Sequence, residues 1–178
     1  MYEKIRELAH KYDGRVVEWR RRIHRQPELS RQEERTSALA AEVLSGLGLE
    51  VRSRVGGHGV VGLLRGGGGD GRTVALRADM DALPMREETG LPYASANGCM
   101  HACGHDAHVA MLLTAARLLA EARSELAGTV RFLFQPAEET VAGALSMIES
   151  GALDGVDAIV GLHTGSIWEG LEPGQIGW

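Results

Sequence analysis

The pattern of hydrophobic and polar positions predicts that the chain opens with two amphipathic helices. Apolar residues recur every three or four positions over residues 1–25, which is the helical period, with an interruption expected near Gly14. A proline ends this helix, and a second one is expected over residues 32–47. Ser30 is its predicted N-cap, and Glu33, three positions later, is the predicted partner in a capping box.

Three short strands are predicted to follow the helices. Residues 49–55, 60–64 and 73–78 are apolar or β-branched and are separated by turn-forming residues. The glycine-rich tract at residues 66–71 lacks the Lys-Ser/Thr pair of a phosphate-binding loop and does not open a helix. We therefore expect it to be a hairpin connection between two strands.

Strands and helices alternate in the second half. The helix expected over residues 105–121 is apolar nearly all round and should be buried. Strands are predicted at residues 129–134 and 157–162, with a short helix at 142–150 between them. This order predicts an α/β fold, with a layered, mostly parallel sheet flanked by helices, in one globular domain over residues 1–178.

Composition excludes several classes of protein. Of 178 residues, 44% are hydrophobic and 24% charged, which is typical of a globular domain. The net charge of -5 argues against a nucleic-acid partner, and the basic run at residues 20–25 is explained by a solvated helix face. No apolar run approaches the roughly 20 residues of a membrane span, and the charged N-terminus is unlike a secretory signal. We expect a cytoplasmic protein without membrane contact, in which Cys99 and Cys103 stay reduced.

The segment at residues 100–108 concentrates metal-binding chemistry. Its nine residues include a thiol, three imidazoles and a carboxylate, contributed by Cys103, His101, His105, His108 and Asp106. Thiolates and neutral imidazoles are ligands for divalent metals, and a neighbouring carboxylate can orient them. A helix start with one hydrogen-bonded histidine and a buried cysteine is the simpler interpretation, but the density of the cluster favours a metal site.

Further candidate ligands follow three predicted strands. Asp79 and Asp81 follow the first, Glu138 and Glu139 the second, and His163 the third. Because active residues gather at the carboxyl ends of parallel strands, we expect these side chains to share one crevice with the 100–108 segment. Two adjacent carboxylates can divide the work of hydrolysis, since one binds the metal while the other takes a proton from the attacking water.

These motifs resemble those of the M20 metallopeptidase family, and the resemblance covers essentially the whole chain. The matching segments are RADMDALP at 77–84, MHACGHDAH at 100–108, FQPAEE at 134–139 and GLH at 161–163. The sequence RRIHRQPELS at 21–30 also fits the amidohydrolase branch, which includes hippurate hydrolases, N-acyl-amino-acid deacylases and auxin-conjugate hydrolases. The resemblance implies a catalytic domain like that of zinc peptidases.

The resemblance also implies roles for individual residues. The implied metal ligands are Cys103, His105, Glu139 and His163. Glu138 is the implied general base, and Asp81 an active-site carboxylate that lies just outside the ligand set. Other branches carry a histidine ligand two positions before that aspartate, where this chain has Asp79.

The implied reaction is metal-assisted hydrolysis of an amide bond. One or two divalent ions would polarise the scissile carbonyl and lower the pKa of a bound water, and manganese, zinc, cobalt and nickel all suit the mixed ligand set. Glu138 would take the proton of the water and return it to the leaving amine. The implied substrate is a small N-acyl amino acid or peptide.

The resemblance also implies that residues 1–178 match only part of a protein of this family. Proteins of this family usually continue beyond the position that matches Trp178, into a lid or dimerisation domain and then back into the catalytic domain, which supplies a last histidine ligand. We therefore interpret residues 1–178 as part of a catalytic domain without its lid. An exposed apolar face and an unpaired strand edge are expected, and with them self-association or a completing partner chain.

Two other functions stay open at this point. A non-catalytic metal-binding module would keep the ligands without turnover. A cysteine nucleophile at Cys103, assisted by His105 or His101, would leave the carboxylate pair and the last histidine unused. The histidines outside the cluster, His10, His24 and His58, are predicted to be surface or structural residues.

Overall fold

The computed structural model describes residues 2–165, 172 and 175–177, and this part of the chain forms four α-helices and five strands. The helices are α1 (Tyr2–His24), α2 (Glu34–Gly46), α3 (His105–Glu121) and α4 (Gly143–Glu149), with a 3-10 turn at Arg123–Glu125. The strands are β1 (Glu50–Val55), β2 (Gly59–Arg65), β3 (Thr73–Asp79), β4 (Thr129–Gln135) and β5 (Ala158–Gly161). Each predicted element is present, and its ends differ from the prediction by two residues at most.

The strands form one mixed sheet in the order β1-β2-β4-β3-β5. β1 and β2 form an antiparallel hairpin, and β2 also pairs antiparallel with β4. β3 runs parallel to both of its neighbours, β4 and β5. The predicted α/β fold is confirmed, with parallel pairing confined to the three strands that carry candidate ligands at their carboxyl ends.

The glycine tract at residues 66–71 is not the predicted hairpin. It connects β2 to β3, and β4 lies between these two strands. The amide of Gly66 donates to Gly128 O at 2.8 Å, and a Cβ on Gly66 would lie 1.8 Å from Leu126 O. The glycines therefore permit two backbones to approach closely where the tract passes the start of β4, so the hairpin prediction was wrong.

Helix α1 runs without the interruption expected near Gly14. A glycine inside a helix costs about 1 kcal/mol relative to alanine. Trp19 and Ile23 on the same helix are buried in the core, and their packing outweighs that cost.

The predicted capping box at the start of α2 is also wrong. Ser30 donates its hydroxyl to Asp81 instead, and Glu33 makes no side-chain bond that caps the helix. The carboxylate of Glu28 takes this role, because it accepts hydrogen bonds from the amides of Arg35 and Thr36, both at 2.9 Å.

The core has two parts, one on each face of the sheet. The larger part is formed with α1, α2 and α3 and includes Leu113, Phe132 and Phe134. The smaller part contains Leu133 and Met147, from β4 and α4. Side chains alternate along β4 between the two faces of the sheet, so this strand contributes to both parts of the core.

Among the described residues, none of the helices has the length and apolar character that a membrane span requires.

Candidate metal centre

Cys103 and His105 lie on either side of the glycine that begins α3. Gly104 has a φ of +86°, and a Cβ there would lie 2.1 Å from Thr164 Oγ1, so only glycine fits. His105 is fully buried, and its Nδ1 lies 2.9 Å from the carbonyl oxygen of Asp81. Nδ1 is therefore the protonated nitrogen, which leaves Nε2 of His105 free to bind a cation.

The structure brings the four predicted ligands together. One ligand atom from each of Cys103, His105 and Glu139 lies within 4.8 Å of the others. His163 adjoins this group, since its Nε2 lies 3.4 Å from Cys103 Sγ. The group contains residues from the start of α3 and from the segments that follow β4 and β5. These segments lie at the carboxyl ends of the parallel strands.

The donor atoms fit a divalent cation. His105 Nε2 and Glu139 Oε1 lie 3.9 Å apart, and both are buried without a hydrogen-bond partner among the described residues. Buried polar atoms are rarely left unpaired, so these two indicate a missing partner. A set of one sulfur, two nitrogens and one carboxylate oxygen suits zinc and other first-row transition metals.

The charges around the cluster also favour a cation. Burial and the nearby carboxylates of Glu139 and Glu138 raise the pKa of Cys103 to about 11. Burial lowers the pKa of His105, but the hydrogen bond to Asp81 and nearby negative charges outweigh burial and raise it. A bound cation reverses this balance, because it stabilises the thiolate and the neutral imidazole.

The two adjacent glutamates differ in their surroundings. Glu139 is 22% exposed and turns its unpaired oxygen toward the cluster. Glu138 is 37% exposed, and its Oε2 lies 3.8 Å from His105 Nε2. Glu138 is therefore beside the cluster on the side that water can reach.

Asp81 contacts two of the residues in the cluster, His105 and Glu139. Its Oδ2 accepts hydrogen bonds from the hydroxyl of Ser30 at 2.6 Å and from the amide of Glu139 at 3.0 Å. Burial alone would raise the pKa of Asp81, but the ring of His105 at 3.4 Å and the hydrogen bonds from Ser30 and from the backbone of Glu138 and Glu139 lower it to about 2. Asp81 is a charged anchor that fixes both His105 and the segment of Glu139.

A second chain of polar contacts supports His163, and it contains Asp79 and His108, which the sequence indicated as candidate metal-binding residues. Arg77 donates to Asp79 at 2.6 Å, and His108 Nδ1 lies 2.6 Å from the other oxygen of Asp79. His108 Nε2 accepts the amide of Thr164 at 2.8 Å, which fixes the backbone beside His163. These contacts use both nitrogens of His108, whose ring also lies with Asp79, His105 and His163 in a second group of possible ligand atoms within 4.8 Å of one another. The positions of Asp79 at a strand end and His108 in the histidine-rich motif were the available signals.

The outlying histidines agree with their predicted roles. His24 is buried between two carboxylates, with Nδ1 2.7 Å from Asp106 and Nε2 3.0 Å from Glu87. The hydrogen bond to Asp106, with that to Glu87, outweighs burial and raises the pKa of His24. His24 is structural, while His10 is exposed and His58 partly exposed.

Comparison with known proteins decides the family. Residues 75–177 match the sequence profile of peptidase family M20/M25/M40. The chain belongs to this family. The resemblance inferred from the four motifs is therefore confirmed.

Two relatives show how far the similarity extends. The chain is 46% identical over 177 residues to the N-acyl-L-amino acid amidohydrolase of Geobacillus stearothermophilus, an alignment that covers 98% of this chain and 47% of that protein. It is 52% identical over 152 residues to the N-acetyl-L-cysteine deacetylase of Bacillus subtilis, covering 85% of this chain and 36% of that protein.

A solved structure confirms the fold. The Bacillus subtilis YXEP protein, described as a dinuclear metal-binding peptidase from the M20 family, superposes with a TM-score of 0.83 at 45% identity. The match covers 88% of this chain and 44% of that one. The chain thus spans 36 to 47% of the length of these three proteins.

Proposed function

We propose that this chain is the metal-binding part of a hydrolase that cleaves the amide bond of small N-acyl amino acids or peptides. The observation that carries the proposal is the convergence of Cys103, His105 and Glu139 within 4.8 Å, with Glu138 beside them. Relatives named for amidohydrolase and deacetylase activity support the substrate class.

The proposed ligands are Cys103, His105, Glu139 and His163. They would hold one or two divalent ions, of manganese, zinc, cobalt or nickel. When bound, such an ion polarises the carbonyl of the substrate and lowers the pKa of a coordinated water. We also propose a cytoplasmic setting, since a reducing compartment keeps Cys103 available as a ligand.

Glu138 is the proposed general base. Its carboxylate is next to the ligand atoms yet open to solvent, so a water can reach both Glu138 and the cluster. The same carboxyl then delivers the proton to the nitrogen of the leaving amine. Asp81 takes no proton in this scheme, because hydrogen bonds hold its pKa at about 2, and its role is to fix His105 and the turn of Glu138.

A cysteine nucleophile is less consistent with these surroundings. Burial and the carboxylates of Glu139 and Glu138 raise the pKa of Cys103, which disfavours the thiolate that such a mechanism needs. His101 is buried and makes no hydrogen bond to Cys103 in the described part of the chain. The thiol is better suited to bind a cation than to attack a carbonyl.

Metal content and hydrolysis, measured on the same sample, test the proposal. We expect the purified protein to contain divalent metal and to hydrolyse an N-acetyl amino acid at best weakly. That activity should be lost with a chelator and regained with manganese, zinc, cobalt or nickel. Metal without turnover would favour a non-catalytic metal-binding module. A protein that binds none of the four ions would contradict the proposal.

We further propose self-association, or coverage by a partner chain, at the edge of β5. Ile159, Val160 and Leu162 are each more than half exposed. β5 pairs only with β3 among the described strands, so its other edge leaves backbone groups unpaired. Such an apolar edge strand favours pairing with another strand.

A further inference from the structure

Glu33 is a fully buried carboxyl group that lies beneath the turn of Glu138 and Glu139. Its Oε1 accepts a hydrogen bond from the amide of Ala137 at 2.7 Å, across 104 residues of sequence. The same oxygen accepts the amide of Arg31 at 3.0 Å. One carboxyl oxygen therefore joins the start of α2 to the residue just before the glutamate pair.

Both of the residues that Glu33 binds have an unfavourable backbone conformation. Ala137 has a φ of +51° and Arg31 a φ of +66°, which is the left-handed region that residues with a Cβ rarely adopt. Such a conformation persists only where surrounding contacts enforce it, and it tends to occur at functional sites. The hydrogen bonds to Glu33 are contacts of this kind at both residues.

The turn that carries the glutamates closes on Ala137. The carbonyl oxygen of Ala137 accepts the amides of Ala142 at 3.2 Å and Gly143 at 3.1 Å. A Cβ at Gly143 would lie 1.5 Å from Pro136 O, so the backbone is tightly folded here. The position of Ala137 thus determines how the whole turn leaves β4.

Two carboxyl groups hold the turn on either side of Glu138. Asp81 accepts the amide of Glu139, and Glu33 accepts the amide of Ala137. The backbone of Glu138 lies between these two fixed amides. A shift at either amide would move the carboxylates relative to His105.

We propose that Glu33 is a positioning residue: by holding the Ala137 amide, it sets where Glu138 and Glu139 stand relative to His105. The inference rests on the proposed function for the roles of the two glutamates. It adds a residue from the first part of the chain that touches neither ligand atoms nor substrate. Losses of this kind, outside the ligand set itself, typically lower metal affinity by about 10- to 100-fold.

The acceptor oxygen, rather than a negative charge, is what the turn requires. Glu33 Oε2 is buried and has no hydrogen-bond partner among the described residues, and burial raises the pKa of this carboxyl. Glutamine keeps an oxygen in the place of Oε1, although its unpaired amide group lowers the global free energy of unfolding, whereas alanine removes the oxygen. Glu33→Gln should therefore preserve the turn, and Glu33→Ala should release it.

Hydrogen exchange of backbone amides tests the contact without any metal. In the metal-free protein, the amide of Ala137 should be protected, should stay protected in E33Q, and should exchange at least 10-fold faster in E33A. The matched control is Leu44→Ala, which empties a fully buried position of α2 within the core. L44A should lower the free energy of unfolding of the whole protein. The exchange of the Ala137 amide should then increase only as much as this global change requires.

Cobalt(II) reports on the ligand geometry. We expect the visible absorption spectrum of the cobalt-loaded protein to change in E33A, with at least a 10-fold loss of cobalt affinity. E33Q and L44A should both give the wild-type spectrum. If E33A does not fold, Glu33→Asp is measured in its place, since it keeps the carboxyl but withdraws it by one methylene and should show the same changes to a smaller degree.

The outcomes separate this inference from the proposed function. The positioning role would be overturned if the Ala137 amide exchanged no faster in E33A than in L44A. An unchanged cobalt spectrum in E33A would also overturn it. If E33A does not fold, E33D is compared with L44A in the same way. An E33Q variant that behaves like E33A would overturn the acceptor argument. If the wild-type protein binds none of manganese, zinc, cobalt or nickel, the proposed function fails, while the exchange measurement still decides whether Glu33 holds the turn.

Discussion

Asp81 Oδ2 accepts a hydrogen bond from the backbone amide of Glu139 at 3.0 Å, although 58 positions separate them in sequence. Asp81 follows β3, and Glu139 follows β4, the parallel strand beside it. The same oxygen also accepts the hydroxyl of Ser30. A single buried carboxylate therefore joins three segments of the chain at the site.

Replacing this carboxylate should weaken the fold measurably. In Asp81→Asn, one acceptor oxygen becomes an amide group, which leaves a buried donor unmatched and costs about 1–3 kcal/mol of unfolding free energy. Urea denaturation measures the change. The control is Asp70→Asn, at an exposed position of the glycine tract, which should stay within about 0.5 kcal/mol of wild type. Equal effects from the two variants would contradict the anchoring role.

The two glutamates should separate metal binding from turnover. Glu138→Gln should leave metal content unchanged and lower hydrolysis by about 100-fold or more, because a positioned general base contributes about that factor. Glu139→Gln should instead lose metal. Elemental analysis and a deacylase assay on both variants measure this, and identical behaviour of the pair would refute the division of labour.

The two cysteines provide a matched pair for the ligand role. Cys103→Ala should lower the affinity for zinc by at least about 10-fold, since even losses outside the ligand set reach this size. Cys99→Ala should leave it unchanged. His163→Ala and the exposed His10→Ala form a second pair with the same expected contrast. Zinc titration against a chromophoric chelator measures all four, and a C103A variant with wild-type affinity would remove Cys103 from the site.

His24 should make stability depend on pH near neutrality. Its pKa in the folded protein is raised above 6.5, chiefly by the hydrogen bond to Asp106 and despite burial. The protonated ring therefore stabilises the fold fully below pH 6.5 and loses this contribution as pH rises through the folded value. The loss of unfolding free energy in His24→Gln relative to wild type should therefore shrink as the pH rises above about 6.5.

Urea denaturation at several pH values, in the presence of chelator, measures this dependence. His10→Gln changes an exposed histidine and should show no such trend. If the loss of unfolding free energy in H24Q stays constant as the pH rises, or grows with pH, the charged ring contributes nothing to the stability of the fold.

The exposed edge of β5 predicts a change in association state. Val160→Lys places a charge on the apolar edge strand, and a lysine there opposes strand pairing. Sedimentation should show self-association of the wild-type chain and a shift toward monomer in V160K. A wild-type chain that is monomeric over the measured concentrations would exclude association at this edge.

The sequence predicted the elements and the candidate cluster well because both depend on local or repeating features. The apolar run after Gly104 marks the start of α3, and parallel strands necessarily bring Asp81 and Glu139 to the same edge of the sheet. Asp81 and Glu139 follow closely after the ends of β3 and β4, which leaves little freedom for where these side chains lie.

The errors arose where a long-range contact outweighed a local preference. Ser30 carries the local signal of a helix cap, but it bonds to Asp81, which lies 51 positions away. Glu33 fits a capping box, but it binds Ala137 instead. The glycine tract resembles a hairpin turn, although β4 inserts between the strands that it joins. No local pattern records these partners, because they meet only in the folded chain.

The convergence of Cys103, Glu139 and His163 from distant segments also couples cation binding to the equilibrium between folded and unfolded chains. The unfolded chain cannot present these donors together, so a bound ion stabilises only the native state. At a free ion concentration of about 100 times the dissociation constant, the gain is about 2.7 kcal/mol. The abundance of this protein in a cell would then follow the supply of the metal it selects.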